Sequence, residues 1–344
     1  MSFALQQPCR RILLVVIAGA SLSTAVQAQT NNGRISGTVV DISGAVTPGV
    51  TVTVRNEMTR LTRAGATNGS GFYIVTNLPV GDYSVTAERQ GFKKAAKTGY
   101  KLVADGRLSV NFRLEPGLVN ESVEVIAAPG ETINSTSGEV ARVIDGAQAQ
   151  ELALNGRNYM QLATLIPGAP LLSDDQLALM VDLSGRQPIN GQRGNANSLS
   201  IDGGSNLDSG DNGAQNNNVG IDFIREVNIK TSNFSAEYGR QSGAAINVVT
   251  RSGGNQIHGA VYQYSRNDIF DANNSLNNAR GVRRAALRYN NFSFSLGGPV
   301  IKERLFLFGG MEWKLIRRFS NRDLIIPSAL ERRGDFSVRR SGPD

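Results

Sequence analysis

Hydrophobic and polar positions alternate over short runs along much of this chain. Between residues 33 and 116 the runs "GRISGTVVD", "GVTVTVRN", "GFYIVTNL", "GDYSVTAER" and "GRLSVNFRLEP" are bounded by Gly, Pro, Asn and Asp. The last is the cleanest, because Leu108, Val110, Phe112 and Leu114 alternate with polar neighbours as a half-buried strand requires. Short strands with turn signals about every ten residues predict a small β-sandwich. Asn77-Leu78-Pro79-Val80-Gly81 is the turn between two of them. From 131 to 255 the composition shifts to Asn, Gly, Ser and Gln. There "DGAQAQELALNGRNYMQLATLIPG" predicts a helix with Leu152, Leu154, Tyr159, Leu162 and Leu165 apolar, Pro167 as its stop and Gly156 placed to break it. "SLSIDGG", "IREVNIKTSNFSAEYG" and "GAAINVVTRSGG" predict strands, which makes this a mixed α/β unit with long polar loops. A compact domain carries such loops when they serve a function or when a surrounding wall orders them.

The hydrophobic pattern changes sense near the C-terminal end. "NFSFSLGGPVIKERLFLFGG", residues 291 to 310, reads as two strands joined by a tight, charged turn. Phe292, Phe294 and Leu296 alternate with Ser293 and Ser295, the template of an outer-membrane strand with apolar residues toward lipid and polar ones toward the lumen. Taken by itself, the hairpin fits a soluble sandwich better. In "GAVYQYSR" Val261 takes one face while Tyr262 and Tyr264 take the other, and from Leu305 to Trp313 nearly every position is apolar, so the facing stays open. Loop lengths favour a barrel: the link from Asn267 to Tyr289 is long and the one around Gly297 to Arg304 is short, as outer loops and periplasmic turns are.

Arg10-Arg11, the apolar run from Ile12 to Ala18 and Val26-Gln27-Ala28 predict a secretory signal over residues 1–28, cleaved between Ala28 and Gln29. The run is shorter than the roughly 20 apolar residues of a membrane anchor. Cys9, the only cysteine, precedes that run, so disulfides, thiolate metal sites and cysteine nucleophiles are excluded from the mature chain. No later segment is apolar enough for a membrane helix, which leaves strands as the means of membrane contact. The net charge of +7 is uneven: from Gln256 onward 15 Lys and Arg face 8 Asp and Glu, an excess of 7. In an exported chain this suits an anionic membrane surface rather than nucleic acid.

Little in the sequence carries reaction chemistry. His258 is the sole histidine, so neither a histidine pair for zinc nor a conventional triad can form. "DSGDNG", residues 208 to 213, fails the EF-hand spacing, with Gly210 at the third position and Val219 at the twelfth, and reads as a polar loop. Asp202 reads as a turn residue, and no phosphate-binding glycine loop is present. No cofactor, metal or catalytic set is expected, and the chain is not read as an enzyme.

"NESVEVIAA", residues 120 to 128, is an extended segment between Pro116-Gly117 and Pro129-Gly130. Val123, Val125 and Ala127 alternate, and nothing local is expected to pair with them. Two roles fit equally: a strand added to the sheet edge of a partner, or the first strand of the unit that follows.

"ISGTVVDISGAVTPGVTVTVRN" and "TNGSGFYIVTNLPVGDYSVTAERQGFKK" resemble the carboxypeptidase regulatory-like domain, with its motifs in the family's order. That resemblance implies a seven-stranded, transthyretin-like sandwich of carbohydrate-binding-like fold over residues 32–116, an accessory module rather than a peptidase. "LALNGRNYMQLATLIPG", "GQRGNANSLSIDGGSN", "IREVNIKTSNFSAEYGRQSGAAINVVTRSGGNQIHGAVYQYSRND" and "FSFSLGGPVIKERLFLFGGMEW" resemble the plug and first barrel strands of TonB-dependent outer-membrane receptors, most of all the Oar-like subgroup. The resemblance implies a mainly β chain: signal peptide 1–28, sandwich 32–116, linker 117–130, mixed α/β plug 131–255, and the first strands of an incomplete transmembrane barrel from 256 to 344. Ser122, Val123, Glu124, Val125, Ile126 and Ala127 match the family's TonB box in type and position, with Val125 and Ile126 where valine and threonine are common. The implied function is uptake through a plugged barrel in the outer membrane, with the sandwich in the periplasm. The implied partners are TonB, membrane lipid and lipopolysaccharide, and a transported ligand of unassigned chemistry, with no nucleic acid. The alternative is a surface-binding or adhesion protein whose sandwich binds carbohydrate or protein. Barrels of this family close roughly 22 strands, and about three are expected here, so the sequence reads as the N-terminal part of a receptor.

Overall fold

The computed structural model describes residues 31–117, 122–126, 138–152, 154–170, 187–239, 241–273, 275–319 and 326–337. The signal segment with Ala28 and Gln29 lies outside them, as does Ala127. The chain divides into two compact units, residues 1–260 with 295–310 and residues 261–294 with 311–344.

Within the first unit every second side chain is buried over residues 33–39, 52–56 and 81–87, and the short runs up to residue 126 form strands. These are β1 (Gly33–Asp41), β2 (Thr51–Asn56), β3 (Thr62–Ala66), β4 (Phe72–Leu78), β5 (Gly81–Glu88), β6 (Lys94–Leu102), β7 (Arg107–Ser109), β8 (Phe112–Leu114) and β9 (Ser122–Ile126). One sheet has the order β4-β1-β7, with β8 also on β1; the other runs β3-β2-β5-β6-β9. Their facing sides form one core that includes Ile35, Val52, Tyr73, Val85, Leu102, Phe112 and Leu114. Residues 33–114 hold eight strands rather than the seven expected, because the run from 107 to 114 is interrupted. The cause is a close approach at Gly37, where a Cβ would lie 2.0 Å from the Val110 carbonyl oxygen. That oxygen accepts the Tyr73 hydroxyl at 2.7 Å, while the Asn111 side chain accepts the Thr38 N–H at 2.9 Å. Both pieces lie parallel to β1, on Arg34–Ser36 and on Val39–Asp41.

The mixed sheet contains β10 (Val140–Asp145), β11 (Ser198–Ile201), β12 (Gly204–Ser205), β13 (Ile224–Ser232) and β14 (Ala245–Thr250), in the order β10-β13-β14-β11-β12. The predicted helix is only partly helical. Helix α1 spans Gly146–Glu151, started by Asp145, whose carboxylate accepts the Gln148 N–H at 2.8 Å. Gly156 then takes φ +64, and the Asn158 side chain caps Met160 at 3.0 Å, so a new 3-10 turn over Tyr159–Leu165 replaces continuation of the old helix. Tyr159 and Leu162 enter the core, whereas Leu165 stays exposed.

Strands β15 (His258–Asn267), β16 (Leu287–Ile301) and β17 (Leu305–Arg318) pair in the order β15-β16-β17. On β16 the polar residues Asn291, Ser293 and Ser295 are buried while Phe294 and Leu296 are exposed, the latter at 60 %. On β17 the facing that the sequence leaves open resolves into alternation: Leu305, Leu307, Met311, Trp313 and Leu315 are exposed, and Phe306, Phe308, Glu312 and Lys314 less so. The Trp313 and Phe294 rings lie 5.9 Å apart on the exposed side, and Asn291 donates to Glu312 at 2.9 Å. On β15, Val261 is exposed and Tyr262 stacks on Tyr264 at 6.1 Å. Gly297, Gly298 and Pro299 belong to β16 and not to the turn, which is confined to residues 302–304 with Glu303 at φ +63. Proline is tolerated there because β15 begins only at His258, whose ring lies against Gly297, so the missing N–H removes no ladder bond to β15.

Candidate functional site

The segment singled out for partner binding is already a strand. Ser122–Ile126 pair in parallel with β6, with Lys94 opposite Ser122, Ala95 opposite Val123, Ala96 opposite Glu124, Lys97 opposite Val125 and Thr98 opposite Ile126. The expectation that nothing local pairs with residues 122–126 is therefore overturned, and so is their reading as the first strand of the following unit. The chain's route explains why. After β8, Pro116 bridges to Phe92 and the Gly117 N–H donates to the Gly91 carbonyl at 3.2 Å, which delivers the chain to the start of β6. The residues that follow then run beside β6 in the same direction. Since β5 occupies the other side of β6, β6 would be the sheet edge without them. The last pair among the described residues is at Thr98; beside it Gly99 takes φ +86 and the β5–β6 register shifts between Tyr83 and Val85, a bulge within β6.

The far end of β6 leads into a buried polar clasp on the mixed sheet. Along β13, Val227 and Ile229 face the core while Glu226, Asn228 and Lys230 alternate with them on the opposite face, and all five are buried. Polar side chains are costly to bury without partners. The turn after β6 supplies those partners. The Ala104 N–H donates to Glu226 Oε1 at 2.6 Å, and its carbonyl accepts from Asn228 Nδ2 at 3.1 Å. The Lys230 ammonium, on a side chain only 2 % exposed, lies 3.6 Å from Asp105 and 3.8 Å from Glu139, and donates to the Tyr238 hydroxyl at 2.8 Å. Asp105 also accepts from the Tyr238 hydroxyl and from Asn247 Nδ2, the latter at 3.1 Å. Lys101, on β6 itself, sits 3.3 Å from Asp145, the residue that caps α1. Sequence reasoning missed this clasp, although the Glu-Val-Asn-Ile-Lys alternation in β13 was its visible signal.

Burial pushes the Glu226 carboxyl above its ordinary range, and the Ala104 N–H only partly offsets this. The group therefore takes up a proton on folding. The stability gained from that proton is complete below the ordinary carboxylate range and is lost as pH rises through the raised value. Glu226→Gln keeps an acceptor for Ala104 and should flatten this pH dependence. Glu226→Ala leaves the Ala104 N–H unpaired and should cost about 1–3 kcal/mol. Amide exchange at Ala104 as a function of pH separates the two.

Beside the clasp lies a polar cavity of about 650 Å³, lined by Asp105, Ser200, Asp208, Glu237, Tyr238 and Asn247 among others. Asp208 is engaged in its own loop, accepting the Ala214 N–H at 3.0 Å, and Asp202 accepts the Thr250 N–H at 2.9 Å. Among the described residues no cluster of His, Cys, Asp and Glu could hold a metal ion. His258 stacks on Phe308 with ring centroids 6.3 Å apart.

Comparison with known proteins fits this arrangement. Residues 34–115 match the carboxypeptidase regulatory-like domain, and residues 249–343 match the outer membrane beta barrel domain. Over 319 residues, 89% of the chain, the sequence is 29% identical to the TonB-dependent transporter Oar of Myxococcus xanthus, of which it covers 29%. The chain thus spans under a third of the length of that curated relative. The siderophore receptor PirA of Acinetobacter baumannii aligns with a TM-score of 0.39 at 18% identity, over 55% of this chain and 26% of that one. A mutant of the ferric enterobactin receptor of Pseudomonas aeruginosa aligns with a TM-score of 0.34 at 17% identity, again over 55% and 26%. The curated relative is named as a transporter, and the barrel match assigns the chain to the outer membrane.

Proposed function

We propose that this chain works within a TonB-dependent outer-membrane receptor. In this reading residues 131–255 are the plug, the sandwich over 32–116 stands in the periplasm, and Ser122–Ala127 are the segment that TonB grips. The observation that carries it is the inverted sidedness of β16 and β17, which expose Phe294, Leu296, Leu307 and Trp313 while burying Asn291, Ser293 and Ser295. A strand of a soluble sandwich would turn its serines out and its phenylalanines in, whereas a strand facing lipid does the reverse. A plug inside a barrel closes the lumen until work is delivered from the periplasm. An extended segment suits that delivery because strand addition grips the backbone and tolerates varied side chains. The basic link carrying Arg280, Arg283, Arg284 and Arg288 would face the anionic lipopolysaccharide.

The test is uptake by a receptor carrying its whole barrel, with and without residues 122–127. Loss of uptake with surface binding retained supports the reading. Undiminished uptake would remove the coupling role, and binding with no uptake in either form would favour an adhesion protein. The sidedness can be checked separately. Leu307, 68 % exposed, should tolerate arginine poorly in lipid. Leu307→Arg should cost about 2–4 kcal/mol if the position lies near the bilayer midplane, read from the denaturant needed to unfold the receptor from vesicles.

A further inference from the structure

We infer that the edge of β6 is a built-in competitor for the coupling segment: Ser122–Ile126 rest on β6 and must leave it before an external sheet can take them up. This rests on the reading of that segment given above. The five register pairs engage the backbone N–H and carbonyl groups along one edge of the segment, and a partner strand that takes that edge must displace β6. Three features make the pairing present but weak. Parallel ladders are slightly less stable per residue than antiparallel ones. The ladder among the described residues is short, five pairs, and β6 is distorted directly after it by the left-handed backbone of Gly99. Yet the segment cannot drift far, since Gly117 is bonded to Gly91 and only residues 118–121 separate it from Ser122. A short tether of this kind holds its segment at an effective concentration of about millimolar order. The apparent affinity of an external partner then falls in proportion to the fraction of time the segment is free.

The same strand connects the competitor to the plug. β6 carries the segment along Lys94–Thr98, pairs with Asp145 through Lys101, and ends in the turn whose Ala104 and Asp105 enter the clasp with Glu226, Asn228 and Lys230. β6 thus joins the clasp on β13 to the edge that holds the coupling segment.

The experiment uses the receptor with its whole barrel and the purified periplasmic domain of TonB as the probe. Ala96→Cys combined with Glu124→Cys places thiols on register partners. The disulfide should form on oxidation, weaken TonB binding at least about tenfold, since the locked segment is almost never free, and release the block on reduction; neither single variant should do so. In the opposite direction, twelve Gly/Ser residues inserted between Gly117 and Ser122 should strengthen binding, by up to about eightfold from loop closure. Failure of the disulfide to form, or equal affinity of oxidised and reduced protein, would overturn the inference. In the second case the partner would have to add to the outer side of β9 as a further strand. Val125→Pro in the same binding assay separates the two claims. If it binds as the parent does, the coupling assignment itself fails; if it abolishes binding while the oxidised pair binds normally, only the competition fails.

Discussion

Val125→Pro, in a receptor carrying its whole barrel, abolishes energised uptake and leaves ligand binding at the cell surface intact. Strand addition works through backbone hydrogen bonds, and proline lacks the N–H and cannot continue an interior ladder. Val125 is the fourth of the five residues paired on β6, opposite Lys97, so a proline there falls inside the stretch that would form the ladder. In the proposed receptor, surface binding would be unaffected because the ligand would meet the opposite side of the membrane. Val125→Thr keeps the N–H and the branched Cβ that suits a strand, and transports nearly as the parent does. The comparison isolates the backbone from the side chain, and uptake of a labelled ligand under energised and de-energised conditions reads it. Normal transport by the proline variant would mean that this segment does not couple the receptor to its energy source.

Phe112→Ala destabilises the sandwich by about 3–5 kcal/mol. Phe112 is 2 % exposed and packs within the single core between the two sheets. Its strand is pinned to β1 by parallel pairing with Val39, leaving the backbone little freedom to collapse into the cavity. The Lys97 ammonium lies 5.6 Å from the ring centroid, so the substitution also removes a cation–π contact to β6. Chemical denaturation of residues 30–117, followed by a strand signal, measures the loss. A change below about 1 kcal/mol would mean that the side chain is not part of the core, well under the range for a buried phenylalanine.

Much of the fold could be read from alternation alone. Leu108, Val110, Phe112 and Leu114 are buried as their period-2 spacing requires, and Phe294 and Leu296 are exposed opposite buried Ser293 and Ser295. What alternation cannot supply is the partner of a strand. Val123 and Val125 announce an extended segment, but the neighbour they find depends on Gly117 emerging beside Gly91, a fact of three-dimensional routing. The break between β7 and β8 has a similar origin, because it is set by the approach of Gly37, more than seventy residues earlier. On β17 two phenylalanines, Phe306 and Phe308, lie on the face opposite Leu305 and Leu307, so both faces are apolar and the period is hidden. The clasp was legible only as an alternation in β13. That pattern ordinarily signals one wet face, and here the turn after β6 dries it.

In the proposed receptor, the bulge at Gly99 has a consequence for molecules crowded side by side in a membrane. Whenever Ser122–Ile126 are drawn away, Lys94–Thr98 become a bare sheet edge, and such edges invite strands from neighbouring molecules. This one is a poor host for strangers. Lys94 and Lys97 put positive charge along it, and the left-handed backbone of Gly99 distorts β6 directly after it. A foreign strand would meet that charge and that distortion, whereas the tethered segment would return at high local concentration. In the opened molecule the same kink would thus limit pairing with its own copies.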